Sequence, residues 1–230
     1  MPLTTLPLQL GADVRTIRFA NLNAYKLTRA TIGDASRRAR VTAIKEITPD
    51  VLALQEVVVD ETRPPSEWAQ EASESVQQLA SECGLSATTV RADGSPGPTA
   101  MANNAHRGWY TALLFNPDAV TPTPGGFRPY GAPDLWHGLT TAVFDIGASS
   151  PVTVANYHGD PFRGGWRLDE AYRLKSVFRT ILRGFSDSEG PTEGIRGTLG
   201  LERRVEIESS GTGRPTVHRA YGGRPGRGWP

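Results

Sequence analysis

The chain has almost no cysteine: Cys83 is the only one in 230 residues. That excludes an internal disulfide. Cys83 sits between Glu82 and Gly84, where a helix is expected to end, and reads as a small packing residue. Long apolar runs are missing too. No stretch approaches the ~20 residues that cross a bilayer as a helix, and residues 1–10 lack the charged start and apolar centre of a signal peptide. A cytoplasmic location with no membrane span is the expectation. Charge of one sign is not in excess. Twenty-five Lys and Arg face 24 Asp and Glu, a net charge of +1. A general nucleic-acid coat protein would be far more basic, although a local basic site is still allowed. Internal repeats are absent. Asn and Asp run out towards the end: no Asn follows Asn156 and no Asp follows Asp187.

What is present is a soluble-type apolar pattern cut by turn signals. Residues 14–20 alternate apolar and polar, as a strand with one buried face does. They lead into Asn21 and Asn23, whose side chains fall on the same side of a strand. The pair reads either as a turn opening or as polar groups aimed at a metal or phosphate. Residues 35–46 read as a helix capped by Asp34 or Ser36, with Ala39, Ala43, Ile44 and Ile47 on its buried face and Arg37, Arg38, Arg40 and Lys45 in water. Thr48-Pro49-Asp50 then makes a stop and turn. Val51 to Leu54 is a short apolar run, the signature of a strand buried on both faces. Gln55 and Glu56 arrive where that strand should end. Strand, helix, strand is a β-α-β opening.

Residues 57–65 read as a loop, and 66–81 as a helix with Trp68, Ala72, Val76, Leu79 and Ala80 buried. Residues 85–90 make a candidate strand. Residues 91–107 and 121–133 read as Gly/Pro loops. Residues 109–115 form a strong strand. Residues 139–146 and 152–157 form two more, joined as a hairpin. His158 follows directly. A helix is expected over 167–183, with Leu174, Val177, Phe178, Ile181 and Leu182 on its apolar side. Trp109 and Tyr110 read as core. His106 and His137 read as surface residues, although His137 precedes a strand on the rim where substrate contact is open to it. Residues 190–230 are dense in Gly and Arg and read as poorly ordered. The expected division is a domain over 12–188 and a tail over 189–230.

Three strand ends thus carry polar groups: Asn21 with Asn23, Glu56, and His158. An amide pair, a carboxylate and an imidazole suit metal-assisted phosphoester cleavage. The carboxylate holds a hard ion and the His stabilises or protonates an oxygen at phosphorus. At Phe19-Ala20-Asn21-Leu22-Asn23, at Pro49 to Val57 (Pro-Asp-Val-Leu-Ala-Leu-Gln-Glu-Val) and at Val152-Thr153-Val154-Ala155-Asn156-Tyr157-His158, the chain resembles the endonuclease/exonuclease/phosphatase superfamily, the deoxyribonuclease I-like fold. The resemblance covers residues 14–184. It implies an α/β fold, a four-layer α-β-β-α sandwich, expected to be incomplete at the C-terminus. It implies Glu56 as metal ligand for Mg²⁺ or Mn²⁺, His158 as catalytic, and Asn21 and Asn23 as site amides. Arg163, Arg167 and His137 are candidates for substrate contact.

The superfamily's later Gly-Asp-x-Asn and Asp-His motifs cannot be present, given where Asn and Asp run out. His218 follows Val217, so it does not replace the Asp-His pair. A truncated or frame-shifted end is one expectation from this, and weakened activity another. The sequence reading is therefore a divalent-metal-dependent phosphoesterase acting on a phosphate ester or nucleic acid; the alternative is a non-catalytic remnant or binding module that keeps the fold.

Overall fold

A computed structural model describes residues 16–29, 34–131, 135–148 and 150–186, with backbone alone over 180–186, and two short strands farther on. The chain opens with β1 (Phe19–Leu27), α1 (Ala35–Ile47), β2 (Val51–Val58) and α2 (Pro65–Cys83). Short strands β3 (Thr88–Val90), β4 (Pro96–Thr99) and β5 (Met101–Ala102) precede β6 (Trp109–Phe115). Then come β7 (Thr121–Pro122), β8 (Arg128–Tyr130), the hairpin β9 (Gly138–Asp145) and β10 (Val152–His158), and α3 (Gly164–Ser186). The strands β11 (Ile207–Glu208) and β12 (Thr216–Val217) pair with each other. The rest of the expected tail lies outside the described residues.

Two sheets form. One has the order β1-β2-β6-β5; in the other β10, β9 and β7 run in order and β8 also pairs with β9. β1 and β2 are parallel, and β6 runs antiparallel to β2. β9 packs on β6 and β10 on β2, so the sheets stack face to face. Alternation along the strands separates three apolar layers. Leu52, Leu54, Tyr110, Ala112 and Leu114 point to one face, where they meet the α2 stripe of Trp68, Ala72, Val76, Leu79 and Ala80. Val51, Leu113 and Phe115 point to the other, where Ala142, Phe144 and Ile146 of the second sheet meet them. Leu139 turns outward under Leu174 of α3. The result is helix, sheet, sheet, helix: the expected α-β-β-α arrangement.

Several local expectations need correction. β1 begins at Phe19 and continues through both asparagines to Leu27, because the ladder to β2 pairs Asn21 with Ala53 and Asn23 with Gln55. The amides therefore lie within a strand rather than past its end. β2 likewise runs beyond Glu56 to Val58. The stretches 91–107 and 121–133, read as loops, contain β4, β5, β7 and β8. In α1 the buried side is not the expected one: Ala39, Ala43 and Ile47 are exposed, while Arg37 is 1% exposed. α1 meets its neighbours along the line Arg37, Val41, Ile44, and the Arg37 Nε donates to Glu82 of α2 at 3.0 Å. A long side chain with a partner thus replaced alanine at the contact. Asp34 caps α1 as expected, accepting from the Arg37 N–H. Cys83 is the last residue of α2, and burial raises its thiol to about 11, which suits packing rather than reactivity.

Candidate functional site

The site begins with a break in β2. Between Leu54 and Val57 the register shifts in the pairings to both β1 and β6, and Glu56 takes φ 59°. A non-glycine residue there costs about 1–2 kcal/mol. The geometry explains the bulge. Asn21 and Asn23 share one side of β1. Gln55 Nε2 donates to Asn21 Oδ1 at 2.6 Å, and Asn23 Nδ2 donates to Glu56 Oε1 at 2.8 Å. Successive residues of an unbroken strand point to opposite faces, so Gln55 and Glu56 reach the same pair of amides only because the backbone is re-aimed between them.

Asn156, from β10 of the other sheet, secures this break. It is 2% exposed. Its Nδ2 donates to the carbonyls of Leu54 and Ala112, both at 2.8 Å, and its Oδ1 accepts from Gln55 Nε2. Leu54 and Ala112 are partners across β2 and β6, at the last regular pair before the shift. One amide therefore ties both sheets to the bulge that aims Glu56.

His158 closes the cluster from the end of β10. Its Nε2 stands 3.9 Å from Glu56 Oε1. The antiparallel hairpin pairs His158 with Gly138, which brings His137, one residue earlier, against it: the two imidazole centroids are 4.5 Å apart. His137 also packs on Trp109, at 5.7 Å. The expectation that His137 is a surface residue is corrected: it is 5% exposed, and among the described residues neither ring nitrogen has a hydrogen-bond partner. Gly138 is needed here, since a Cβ would come within 2.9 Å of the Ala102 carbonyl. Trp109 is half-buried beside His137 rather than in the core, while Tyr110 is core as expected.

Burial lowers His137 to about 4, with the positive charges of His158 and Arg107 acting in the same direction. Burial also lowers His158, against the pull of Glu56 and Glu170. Both imidazoles are therefore neutral at neutral pH. For His137 the folded pKa lies below the unfolded ~6.5. The contribution to stability is thus complete above pH 6.5 and is lost as pH falls from 6.5 towards 4, by roughly 3 kcal/mol in all. Urea unfolding at pH 7 and pH 5 should show this slope, and His137→Phe should flatten it. An unchanged slope in that variant would remove the assignment.

A buried carboxylate on α3 holds the histidine-bearing segments. Glu170, 2% exposed, accepts from the N–H of Trp136 at 2.6 Å, the Tyr157 hydroxyl at 2.6 Å and the N–H of Asp160 at 3.0 Å. Trp136 and Tyr157 immediately precede His137 and His158. Asp160 in turn accepts from the N–H groups of Phe162 and Arg163 and from Arg163 Nε. Burial pushes Asp160 up, but these donors outweigh it and hold the group below the usual carboxylate range.

Of the residues expected at the site, Glu56, Asn21, Asn23 and His158 come together, and His137 joins them. The contacts of Arg163 and Arg167 lie elsewhere. Arg163 pairs with Asp160 at 2.6 Å, and Arg167 donates to the carbonyls of Asp160 and Pro161. Sequence reading missed Gln55, Asn156, Glu170 and Asp160. For Asn156 a signal existed, because an amide inside a strand is unusual. For Glu170 there was none.

Among the described residues, no three of His, Cys, Asp and Glu gather as a metal cage. The amide oxygens are also taken: Asn21 Oδ1 by Gln55 and Asn23 Oδ1 by the N–H of Tyr25. A hard divalent ion, if bound, would be held by the carboxylate of Glu56, the one anionic side chain among the described residues in contact with the Asn23 amide and the His158 imidazole. Mg²⁺ is commonly bound in this way.

No protein-family model matches the chain, and no curated protein matches it. Solved structures do. TDP2 from C. elegans is similar with a TM-score of 0.49 at 16% identity, over 76% of this chain and 44% of that one. The human Nocturnin catalytic domain with bound sulfate gives 0.46 at 17%, over 74% and 61%. ANGEL2, a 2',3'-cyclic phosphatase, gives 0.41 at 18%, over 73% and 47%. The chain thus spans about half the length of these structures. They are members of the endonuclease/exonuclease/phosphatase superfamily, the one that the sequence motifs resemble.

Proposed function

We propose that this chain is a divalent-metal-dependent phosphoesterase of the endonuclease/exonuclease/phosphatase type. The observation that carries the reading is the meeting, at one carboxylate, of an amide from β1 at 2.8 Å and an imidazole from β10 at 3.9 Å. Glu56 is the ligand for Mg²⁺ or Mn²⁺, which when bound neutralises phosphate charge. Asn23 orients the carboxylate. Asn21, held by Gln55, keeps the neighbouring strand in register with the bulge. Neutral His158 offers an N–H to a phosphoryl oxygen and, once protonated, can pass a proton to the leaving oxygen. Asn156 and Glu170 preorganise this set from behind. Arg163 and Arg167 brace the loop after β10 through Asp160 and Pro161 and act on the site by positioning rather than by substrate contact.

A second reading is a binding module that keeps the fold without turnover. Two observations favour it: among the described residues no three of His, Cys, Asp and Glu gather as a metal cage, and both amide oxygens already serve protein donors. Hydrolysis of bis(p-nitrophenyl) phosphate and of plasmid DNA, with and without Mg²⁺ or Mn²⁺, separates the two. Metal-dependent turnover supports the enzyme. Its absence in freshly folded protein at every metal concentration supports the binding module.

A further inference from the structure

The chemistry proposed for the site leaves His137 without a part. At 5% exposure it has no face for a substrate. Among the described residues neither ring nitrogen has a partner, and a buried polar group left so costs about 1–3 kcal/mol. What the ring offers its surroundings is therefore its flat sides and its bulk. It lies against His158, with the centroids 4.5 Å apart and the planes 45° from parallel. Trp109 and Trp136 stand around it at 5.7 and 6.4 Å. The backbone just before it is fixed at both polar groups. Glu170 takes the Trp136 N–H at 2.6 Å, and the Trp136 carbonyl accepts from Nδ2 of Asn104, a residue only 6% exposed. Clamped and enclosed in this way, the ring has little room to retreat from His158.

His158 needs such a neighbour. It is the last residue of β10, and its side chain is 20% exposed. Among the described residues its imidazole meets Glu56 at 3.9 Å, too long for a hydrogen bond to hold the ring. A side chain in that position has three staggered wells at χ1 unless packing closes some of them. Resting on the phosphoesterase reading, we propose that His137 is a positioning residue for His158: its ring occupies the space beside that imidazole and keeps Nε2 turned towards Glu56. His137 touches no substrate and carries no proton. The effect on rate is large, because a reacting group misplaced by ~1 Å can cost about 10²-fold. A residue that only packs would change stability and leave kcat per folded molecule alone. A positioning residue lowers kcat and leaves KM, since substrate binding in the ground state does not use it.

The test compares two variants of the full chain. His137→Leu removes the flat ring and keeps apolar bulk; His137→Phe keeps the ring and discards both nitrogens. With bis(p-nitrophenyl) phosphate and Mg²⁺, His137→Leu should lower kcat per folded molecule by about 10-fold or more with KM unchanged. His137→Phe should recover most of that loss. A second reading needs no turnover: NMR of protein carrying ¹³C-labelled histidine, at fixed pH, with the His158 signal assigned by His158→Gln. In the parent and in His137→Phe the His158 ring protons should give one sharp set, shifted upfield by the neighbouring ring. In His137→Leu they should broaden and move towards the position of free histidine. If His137→Leu does not fold, Trp109→Leu, which removes a ring packed on His137, takes its place with the same expected fall. An unchanged kcat, or a His158 signal indifferent to the loss of the ring, overturns the proposal. So does a His137→Phe variant as slow as His137→Leu, which would assign the role to the nitrogens. The two readings fail separately. No turnover in any form, with the His158 signal still dependent on the ring, removes the hydrolase and keeps the positioning; turnover in the parent with kcat and signal unmoved by His137→Leu does the reverse.

Discussion

Glu56→Gln is expected to lower Mg²⁺-dependent hydrolysis of bis(p-nitrophenyl) phosphate by roughly 10³-fold, since charge stabilisation by a bound ion supplies several kcal/mol. The amide keeps the size of the side chain and can still engage Asn23, so folding should survive. What is lost is the charge that holds the ion. A second readout follows without turnover. An ion that binds only the folded state raises the unfolding temperature with its concentration. Millimolar Mg²⁺ should therefore stabilise the parent and leave Glu56→Gln unmoved. Glu56→Gly separates charge from strain. Relief at φ 59° is worth about 1–2 kcal/mol, and the added freedom of the unfolded chain costs about 0.5–1 kcal/mol. That variant should be inactive with nearly unchanged stability. Equal activity and equal Mg²⁺ response in the parent and in Glu56→Gln would end the metal assignment.

Asn156→Leu should cost about 4 kcal/mol of folding stability. The side chain satisfies two buried carbonyls and accepts one donor, and each buried polar group left unpaired costs about 1–3 kcal/mol. The leucine has similar volume, so packing does not explain the loss. Against a total stability of about 5–15 kcal/mol this is a large share. Urea unfolding should show a lower midpoint at constant slope. Asn156→Asp should also destabilise, because a carboxylate would then face the Leu54 and Ala112 carbonyls. The bulge should loosen as well, so activity per folded molecule should fall even where the variant folds. A loss below about 1 kcal/mol would show that the Leu54 and Ala112 carbonyls do not depend on Asn156.

The way the histidine pair and the amide relay arise shows where local reading stops. The hairpin of β9 and β10 was legible from alternation and turn residues, and His158 from its place after the hairpin. His137 was misread as a surface residue because its burial comes from Trp109 and His158, neither adjacent in sequence. Arg37 was misread for the same reason: a helical wheel predicts water for an arginine, but Glu82, 45 residues on, stood where it could be paired.

By itself the sequence determined the strands β2, β6, β9 and β10 and the α2 stripe, which follow from apolar periods that act over a few positions. The four-layer architecture, and Glu56, His158, Asn21 and Asn23 as candidate site residues, came from the motifs that resemble the superfamily. Only the tertiary structure decided that β2 bulges, that Glu56 adopts positive φ, and that Asn156 reaches across 101 residues to Gln55. No local pattern encodes these, because they are set by the need to satisfy buried polar groups when two sheets close on one another.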